Sequence, residues 1–356
     1  MDIKEILMAA VKYGASDIHI VPDRKPFLRI SGEMRGLNTD LLTAEDTERL
    51  IYGCLTEKLI DKFKVDGELD TSVNAEGIGR FRMNILRQKD GIGAVMRVIP
   101  SEIPNPEDVG LDDTIIGLKD TPRGLILVTG PTGSGKSTTL ASMMNLINME
   151  RSQHIITIED PIEYIYPQGN CVVTQREIGS HTKDFGEALK RAMRQDPDVA
   201  LVGEMRDLET ISAALTLAET GHLVFATLHT TDAPQTVDRI IDVFPPFQQQ
   251  QIRTQLSGVL KAVICQQLLP TADGKGRVAA REIMLVNSAI ANLIREGKTH
   301  QIYSAIDTGG RSGMKSLDKD MASLVQRGLI TRDVALSKAN NPKLMETFLS
   351  QGGGGY

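Results

Sequence analysis

The stretch GPTGSGKST at residues 130–138 combines glycines, a lysine and hydroxyl side chains at the spacing that phosphate binding requires. Its glycines let the backbone pass close to phosphate oxygens, Lys136 can reach the terminal phosphates, and the Ser137 hydroxyl can ligate magnesium. An apolar run precedes the loop and a helical pattern follows it, so the helix N-terminus also favours an anion. A glycine-rich turn without a ligand is the alternative. We predict that a nucleoside triphosphate is held by Gly130, Pro131, Thr132, Gly133, Ser134, Gly135, Lys136, Ser137 and Thr138.

Three carboxylates, Glu159, Asp160 and Glu163, follow an apolar run in the stretch TIEDPIEY. Phosphoryl transfer to water needs a group that orients the water and accepts its proton, and a loop beyond a strand end suits such a group. We predict that Glu163 is this base and that Glu159 and Asp160 ligate the metal or support its ligands. An acidic surface loop is the alternative.

The run VALVG is followed by Glu204, where P-loop enzymes carry a second acid that holds magnesium directly or through water. Gly203 stands where an aspartate is common, so a solvated glutamate is the alternative. His222 and His229 flank the run LVFATL at opposite ends, which argues against a shared metal. His229 follows the carboxyl end, where ligands of open α/β sheets bind, and can contact the γ-phosphate. A structural role is the alternative for both histidines.

Arginines mark a second polar face nearer the N-terminus. In the strand pattern GRFRMNIL, Arg80 and Arg82 share one face and the apolar residues take the other. Arg97 lies on the neighbouring strand pattern GAVMRVI. These guanidiniums can stabilise transition-state charge on a bound triphosphate. Surface arginines that pair with carboxylates are the alternative.

The elements that must position these residues form an alternating pattern. Four apolar runs, GLILVT, HIITI, VALVG and HLVFATL, are separated by helical patterns at 136–149, 184–194 and 208–219. Such alternation predicts a parallel sheet covered on both faces. From about residue 250 we expect mainly helix, interrupted by a strand at RVAAREIMLV.

The N-terminal part predicts a separate α+β module. Helical spacing near the start, strand patterns at SDIHIV and PFLRIS, and helical stretches at 44–52 and 56–64 support it. The stretch PSEIPNPEDVGLDD has three prolines and predicts an extended connector that packs weakly. We therefore predict an N-terminal domain at 1–100, a linker at 101–118, a nucleotide-binding domain at 119–350 with a helical part from about 270, and a flexible tail at 351–356.

Composition excludes several classes of protein. At 356 residues the chain is long enough for two or three domains. A net charge of −6, 4% aromatic residues and no tryptophan disfavour a nucleic-acid motor. Three scattered cysteines, no apolar run of membrane-spanning length and no cationic leader lead us to expect a soluble cytoplasmic protein.

Several motifs in one order resemble those of the type II/IV secretion ATPases. They are ASDIHI, GPTGSGKST, TIEDPIEY, VALVGEMRD and TGHLVFATLHT, and the resemblance covers nearly the whole chain. It implies an α/β protein with a PAS-like N-terminal domain and a RecA-like P-loop domain, which hydrolyses ATP with Mg²⁺ as a homohexameric ring. By the same resemblance Glu163 is the catalytic glutamate, Arg80, Arg82 and Arg97 reach phosphates, and both histidines act near nucleotide.

Within that family the chain resembles the branch that retracts type IV pili, because it lacks a long N-terminal extension and a tetracysteine motif. The stretch AIANLIREGK is similar to a motif of that branch, A-I-R-N-L-I-R-E, with Ala291 at its first arginine while Asn292, Arg295 and Glu296 match. The implied partners are an inner-membrane platform protein and the extension ATPase, with no nucleic acid and no direct membrane insertion. This places the protein at the inner membrane only peripherally.

Other functions stay open at this point. A pilus-extension or type II secretion ATPase would share the same motifs. A RecA-like nucleic-acid motor, a nucleotide-gated scaffold without turnover, and a small-molecule kinase are further alternatives. Magnesium-dependent ATP turnover, and its response to DNA, would separate these classes.

Overall fold

The computed structural model describes residues 2–30, 32–99 and 102–351. The chain divides into two compact units, Met1–Glu102 with Glu163–Ile165, and Ile103–Ile162 with Tyr166–Tyr356. The predicted linker start at Ser101 and residues 352–356 of the predicted tail lie outside the described residues, whereas Gln351, predicted as the first tail residue, is the last residue of a helix. Among the described residues, no helix combines the length and the apolar character that crossing a bilayer demands.

The first unit is an antiparallel sheet with helices. The strand order is β3-β2-β1-β6-β5-β4. Alternate residues of β5, among them Phe81, Met83 and Ile85, are buried in one core with Phe63 of α3 and Ile6 of α1. Its elements are α1 Ile3–Lys12, β1 Asp17–Ile20, β2 Phe27–Ile30, β3 Glu33–Gly36, α2 Ala44–Tyr52, α3 Glu57–Asp66, β4 Glu68–Ala75, β5 Gly79–Gln88 and β6 Gly91–Ile99.

The second unit is built on a mixed sheet with strand order β13-β12-β7-β11-β10-β8-β9. All neighbours pair in parallel except β12 and β13, which pair antiparallel. Its strands are β7 Gly124–Thr129, β8 His154–Glu159, β9 Val172–Glu177, β10 Val199–Val202, β11 Leu223–Leu228, β12 Leu260–Pro270 and β13 Arg277–Leu285. Its helices are α4 Asp113–Gly117, α5 Lys136–Glu150, α6 Phe185–Ala192, α7 Leu208–Glu219, α8 Ala233–Asp242, α9 Pro246–Val259, α10 Ser288–Arg295, α11 Ile302–Thr308, α12 Leu317–Gln326, α13 Arg332–Lys338 and α14 Pro342–Gln351.

Helices cover both faces of this sheet, as the continuous apolar strands predict. In β7, Leu125 and Leu127 enter one hydrophobic cluster, whereas Ile126 and Val128 enter the cluster on the other side. Every residue of β7 and β11 is buried, so both strands lie in the middle of the sheet. A rigid, fully covered sheet fixes the positions of the loops at its carboxyl edge.

Two expectations about this unit are wrong. The stretch 103–118 is not a weakly packed connector, because Leu111, Ile115 and Leu118 are buried in the core beneath β7 and α5. They lie just before, within and just after the helix α4, which Asp112 caps by accepting from the Ile115 amide. Residues 260–270 form the strand β12 rather than helix. This expectation was wrong because β12 is stabilised by pairing with β7 and β13, which are distant in the chain, and local residue spacing does not indicate such pairing.

Candidate active site

The predicted site residues of the second unit come together at the carboxyl edge of the parallel strands. β7, β11, β10 and β8 are consecutive neighbours, so the segments that follow them lie side by side. The glycine-rich loop follows β7, His229 follows β11, Glu204 comes just after β10, and Glu159 ends β8. The sheet therefore brings together one anion-binding loop, two acids and one histidine.

The loop needs its glycines for two physical reasons. Gly130, Gly133 and Gly135 have φ values of 142°, 78° and 86°, a region that other residues rarely adopt. A Cβ at position 130 would also lie 2.2 Å from the main-chain oxygen of Gln266, and one at position 135 would lie 3.1 Å from its side-chain nitrogen. Alternation of left-handed and right-handed backbone is the geometry in which successive amides form an anion-binding concavity.

The helix that follows the loop starts without a side-chain cap. Asp184, Asp207 and Asp232 cap the neighbouring helices α6, α7 and α8, whereas α5 begins after Gly135, which makes no such hydrogen bond. The first-turn amides of α5 therefore have no side-chain acceptor at the N-cap position, which favours a bound anion there.

Lys136 lies over the loop. Its Nζ donates to the main-chain oxygens of Gly130 at 2.8 Å and Pro131 at 3.1 Å. Ser137 is exposed on the first turn of α5, one residue further on. This arrangement offers a cation and a hydroxyl to the terminal phosphates of a nucleotide in the loop.

Glu204 is held in place by two neighbours. Its side chain is 18% exposed, with Oε1 2.8 Å from Arg206 Nε and Oε2 3.4 Å from His229 Nε2. The glycine that stands in place of an aspartate at 203 lies in a crowded position, because a Cβ there would lie 3.2 Å from the Cα of Glu159. The close approach of β10 to β8 thus leaves little room for a side chain at 203, and Glu204 is the acid at this strand end.

The acids at the end of β8 differ in their surroundings. Glu159 is half-buried and its Oε1 accepts hydrogen bonds from Thr157 Oγ1 at 2.6 Å and from Gln175 Nε2 at 3.4 Å. Asp160 is exposed. Among the described residues, no three His, Cys, Asp or Glu side chains are grouped closely enough to hold a metal ion alone. The hard oxygen donors at this edge suit magnesium, which completes its shell with substrate phosphates and water.

Glu163 is exposed. The residues on either side of the segment 163–165 form hydrogen bonds to side chains of β9. The amide of Ile162 donates to Glu177 Oε2 at 3.1 Å, and the amide of Tyr166 donates to Gln175 Oε1 at 3.2 Å. The sequence analysis did not identify Glu177 or Gln175, because an edge strand of mixed polarity gives a weak pattern. The role of Glu163 as the base stays a prediction.

His222 lies at the opposite edge of the sheet from the glycine-rich loop. Its main-chain oxygen accepts from the Gly124 amide at the start of β7, and its Nδ1 lies 2.9 Å from the Leu217 oxygen. The six residues of β11 separate it from His229, about 20 Å of extended chain. Within this unit His222 is a cap for the end of α7, and a nucleotide role for it stays a prediction.

The three arginines lie on the antiparallel sheet of the first unit. Arg82 and Arg97 are direct cross-strand partners, and Arg97 pairs in turn with Asp17. Asp17 Oδ1 accepts from Arg97 Nε at 3.0 Å, while Arg80 donates to Ser72 Oγ at 2.8 Å. The predicted arginine face therefore exists within the unit, and its action on phosphates stays a prediction.

A buried carboxyl group lies behind the site and was missed by the sequence analysis. Glu282 on β13 is 1% exposed, and its Oε1 accepts from the Ala233 amide at 2.8 Å. Burial, together with the charge of Asp232, raises the pKa of Glu282 to about 7, although the hydrogen bond opposes this. Glu282 thereby ties the start of α8, four residues after His229, to the antiparallel edge of the sheet.

The motif near the C-terminus lies on α10. Ile290 and Ile294 are buried, whereas Asn292, Arg295 and Glu296 are exposed. Asn292 Nδ2 donates to Glu296 Oε1 at 2.9 Å. The amphipathic helix accounts for the apolar positions, and it leaves the polar positions that match the family motif on the surface.

Comparison with known proteins identifies the family. The profile of the type II/IV secretion system proteins matches residues 1–336. The chain belongs to this family. It is 49% identical to the type IV pilus retraction ATPase PilT of Pseudomonas aeruginosa, covering 96% of this chain and 99% of that protein. It is 47% identical to a twitching motility protein of Neisseria gonorrhoeae, covering 90% of this chain and 86% of that one.

A solved structure of the family has the same fold. The crystal structure of the pilus retraction motor PilT with bound ADP matches with a TM-score of 0.92 and 47% identity, covering 98% of this chain and 99% of that one. The predicted α/β class with a RecA-like ATPase domain is confirmed by this likeness. The PAS-like character of the N-terminal domain stays a prediction.

Proposed function

We propose that this chain is the ATP-hydrolysing subunit of a homohexameric motor that powers type IV pilus retraction. The proposal rests chiefly on the 49% identity to a pilus retraction ATPase over nearly the full length of both chains. The glycine-rich loop at residues 130–138, with Lys136 and Glu204 at the same sheet edge, supports the proposal because it supplies groups that ATP hydrolysis needs.

In this mechanism the glycine-rich loop and the N-terminus of α5 bind the phosphates of ATP. Lys136 then donates to the terminal phosphates in place of the main-chain oxygens of the loop. Glu163 orients a water molecule and takes its proton as the oxygen attacks the γ-phosphorus. The bond from that phosphorus to the bridging oxygen breaks, and ADP and phosphate leave. Arg80, Arg82 and Arg97 stabilise the charge that develops on the γ-phosphoryl oxygens.

Magnesium fits the oxygen donors of the site. Ser137 and Glu204 would hold it, with Glu159 and Asp160 as further ligands or supports at the same edge. When bound, it would neutralise charge on the phosphates. His229 contacts the γ-phosphate and couples its loss to movement of the chain. It acts together with Glu204, because the two side chains are already in contact.

The partners follow from the motor role. The ring acts on an inner-membrane platform protein of the pilus machine and alternates with the extension ATPase, so the protein is cytoplasmic and peripheral to the inner membrane. The exposed residues Asn292 and Arg295 on α10, and Glu296 just after it, are available to such a partner.

Complementation tests this proposal. The chain is expressed in Pseudomonas aeruginosa that lacks its own PilT, and retraction of labelled pili is counted. We expect the wild-type chain to restore retraction and Lys136→Ala, produced at equal level, to fail. If the purified wild-type chain hydrolyses ATP but pili extend rather than retract, the direction of the motor is wrong. If DNA is needed for turnover, the protein is a nucleic-acid motor.

A further inference from the structure

The side chain of Gln266 lies directly against the phosphate loop, although the sequence analysis assigned it no role. Gln266 is 3% exposed on β12, one residue beyond the Cys265–Thr129 pair that ends the register with β7. Its Nε2 donates to the main-chain oxygen of Ser134 at 2.6 Å. Gln266 thus contacts the loop from the side of the sheet.

This hydrogen bond determines which way one loop peptide faces. The carbonyl and the amide of a trans peptide point in opposite directions. Because the Ser134 carbonyl points at Gln266, the amide of Gly135 points to the other side of the loop. An amide turned this way contributes to an anion-binding concavity, and the positive φ of Gly135 belongs to the same geometry.

The orientation of the Gln266 amide is itself determined by its neighbours. Its Oε1 lies 2.9 Å from Thr139 Oγ1 and 3.4 Å from Arg281 Nε, and both of these atoms donate. A flipped amide would place its nitrogen against the arginine and its oxygen against the Ser134 carbonyl. Only one orientation satisfies the three partners, so the donor is held toward the loop.

Arg281 connects Gln266 by hydrogen bonds to the main chain at residues 109–110, near the start of the second unit. It is 4% exposed, and its two terminal nitrogens donate to the main-chain oxygens of Gly110 and Val109, each at 2.7 Å. Its own amide donates to Asp320 Oδ2 at 2.7 Å. The network therefore runs from the phosphate loop through Gln266 and Arg281 to the 109–110 segment, within buried surroundings where each hydrogen bond is costly to lose.

We propose that Gln266 is a positioning residue for the phosphate loop, which orients the Ser134–Gly135 peptide for phosphate binding, and that Arg281 holds Gln266 in this orientation. The inference rests on the proposed nucleotide site and adds residues that lie behind it. Neither side chain is a ligand of the nucleotide. Both act through the shape of the loop.

The test is the affinity of the purified full-length chain for ADP with Mg²⁺, by titration calorimetry well below the melting temperature. Gln266→Glu keeps the size of the side chain but replaces the donor with an oxygen that repels the Ser134 carbonyl. We expect its Kd to rise about 10-fold or more, on the scale of one lost buried hydrogen bond. Arg281→Lys, which loses the two-carbonyl contact, is expected to raise the Kd to a smaller extent.

Gln267→Glu is the matched control, because the next residue of the strand points to the opposite face of the sheet. It should bind ADP as the wild type does. A purely structural role for Gln266 would lower the melting temperature without ADP and leave the Kd unchanged, and that result would overturn the inference. If Gln266→Glu does not fold, an unchanged Kd in both Arg281→Lys and Thr139→Val would overturn it. Failure of the wild type to bind ADP would contradict the proposed function as well.

Discussion

His229 Nε2 lies 3.4 Å from Glu204 Oε2, and this contact joins the carboxyl ends of two neighbouring parallel strands. The residues are 25 positions apart in the chain. Arg206 Nε, at 2.8 Å from the other carboxylate oxygen, completes the set. The acid after β10 is thus in contact with a histidine that follows β11, the strand between β10 and the strand that precedes the phosphate loop.

We expect Glu204→Gln and His229→Asn each to lower ATP turnover about 10-fold or more, since electrostatic groups at such sites commonly contribute this much. The double substitution should be no worse than the more severe single one, because the two side chains act as a unit. Steady-state turnover of the four proteins measures this. If the fold-decreases in turnover of the two single variants multiply in the double variant, the residues act independently. His300→Asn, which changes an exposed histidine elsewhere in the unit, serves as the control.

Replacing Glu163 by glutamine should separate binding from chemistry. We expect Glu163→Gln to bind ATP as the wild type does and to hydrolyse it at least about 100-fold more slowly, the scale of a lost general base. Nucleotide titration and phosphate release measure the two properties. Glu346→Gln changes an exposed glutamate on α14 in the same way and should leave both unchanged. Normal turnover in Glu163→Gln would remove Glu163 from the role of base.

Arg82 should matter more for turnover than for affinity. Charge on the γ-phosphoryl oxygens is greatest in the transition state, so Arg82→Ala is expected to lower kcat while the Kd for ATP changes little. Arg49→Ala removes an exposed arginine that pairs with Asp46 in the same unit, and it is the control. If kcat stays normal and only the Kd rises, Arg82 contributes ground-state phosphate binding alone.

Glu282 gives the protein a pH-dependent stability. Its pKa is about 7 in the folded chain, against about 4.3 for an unfolded glutamate, so the folded state holds a proton that the unfolded state has released. Stability contributed by this group is therefore full below about pH 4 and falls by about 3 to 4 kcal/mol as the pH rises to about 7.

Glu282→Gln carries no titrating group there and retains an oxygen that can accept from the Ala233 amide. We expect its free energy of unfolding in urea to fall less than that of the wild type between about pH 4.5 and 7. It should exceed the wild-type value at pH 8. Parallel pH profiles for the two proteins would mean that Glu282 does not titrate in this range.

The parts of the site that local sequence patterns encode could be predicted. The phosphate loop, the strands β7, β8, β10 and β11 and the acids that follow them depend on residues close together in the chain. Glycine spacing predicts the phosphate loop, and apolar runs predict the buried strands.

The rest of the site depends on contacts between distant segments. Gln266 reaches Ser134 across 132 positions, and Ala233 reaches Glu282 across 49. Neither pairing leaves a local pattern, and β12 was expected to be helical. Residues 103–118 were misread because prolines dominate the composition, whereas the spacing of Leu111, Ile115 and Leu118 determines the packing.

The most direct test of the account is magnesium-dependent ATP turnover per subunit across a dilution series, with particle mass recorded at each concentration. The proposed ring motor predicts hexamers at high concentration and a loss of turnover as they dissociate, which would mean that the site is completed between subunits. Monomers that hydrolyse ATP as fast as hexamers would contradict it, and would confine the enzyme to the phosphate loop and acids of a single chain.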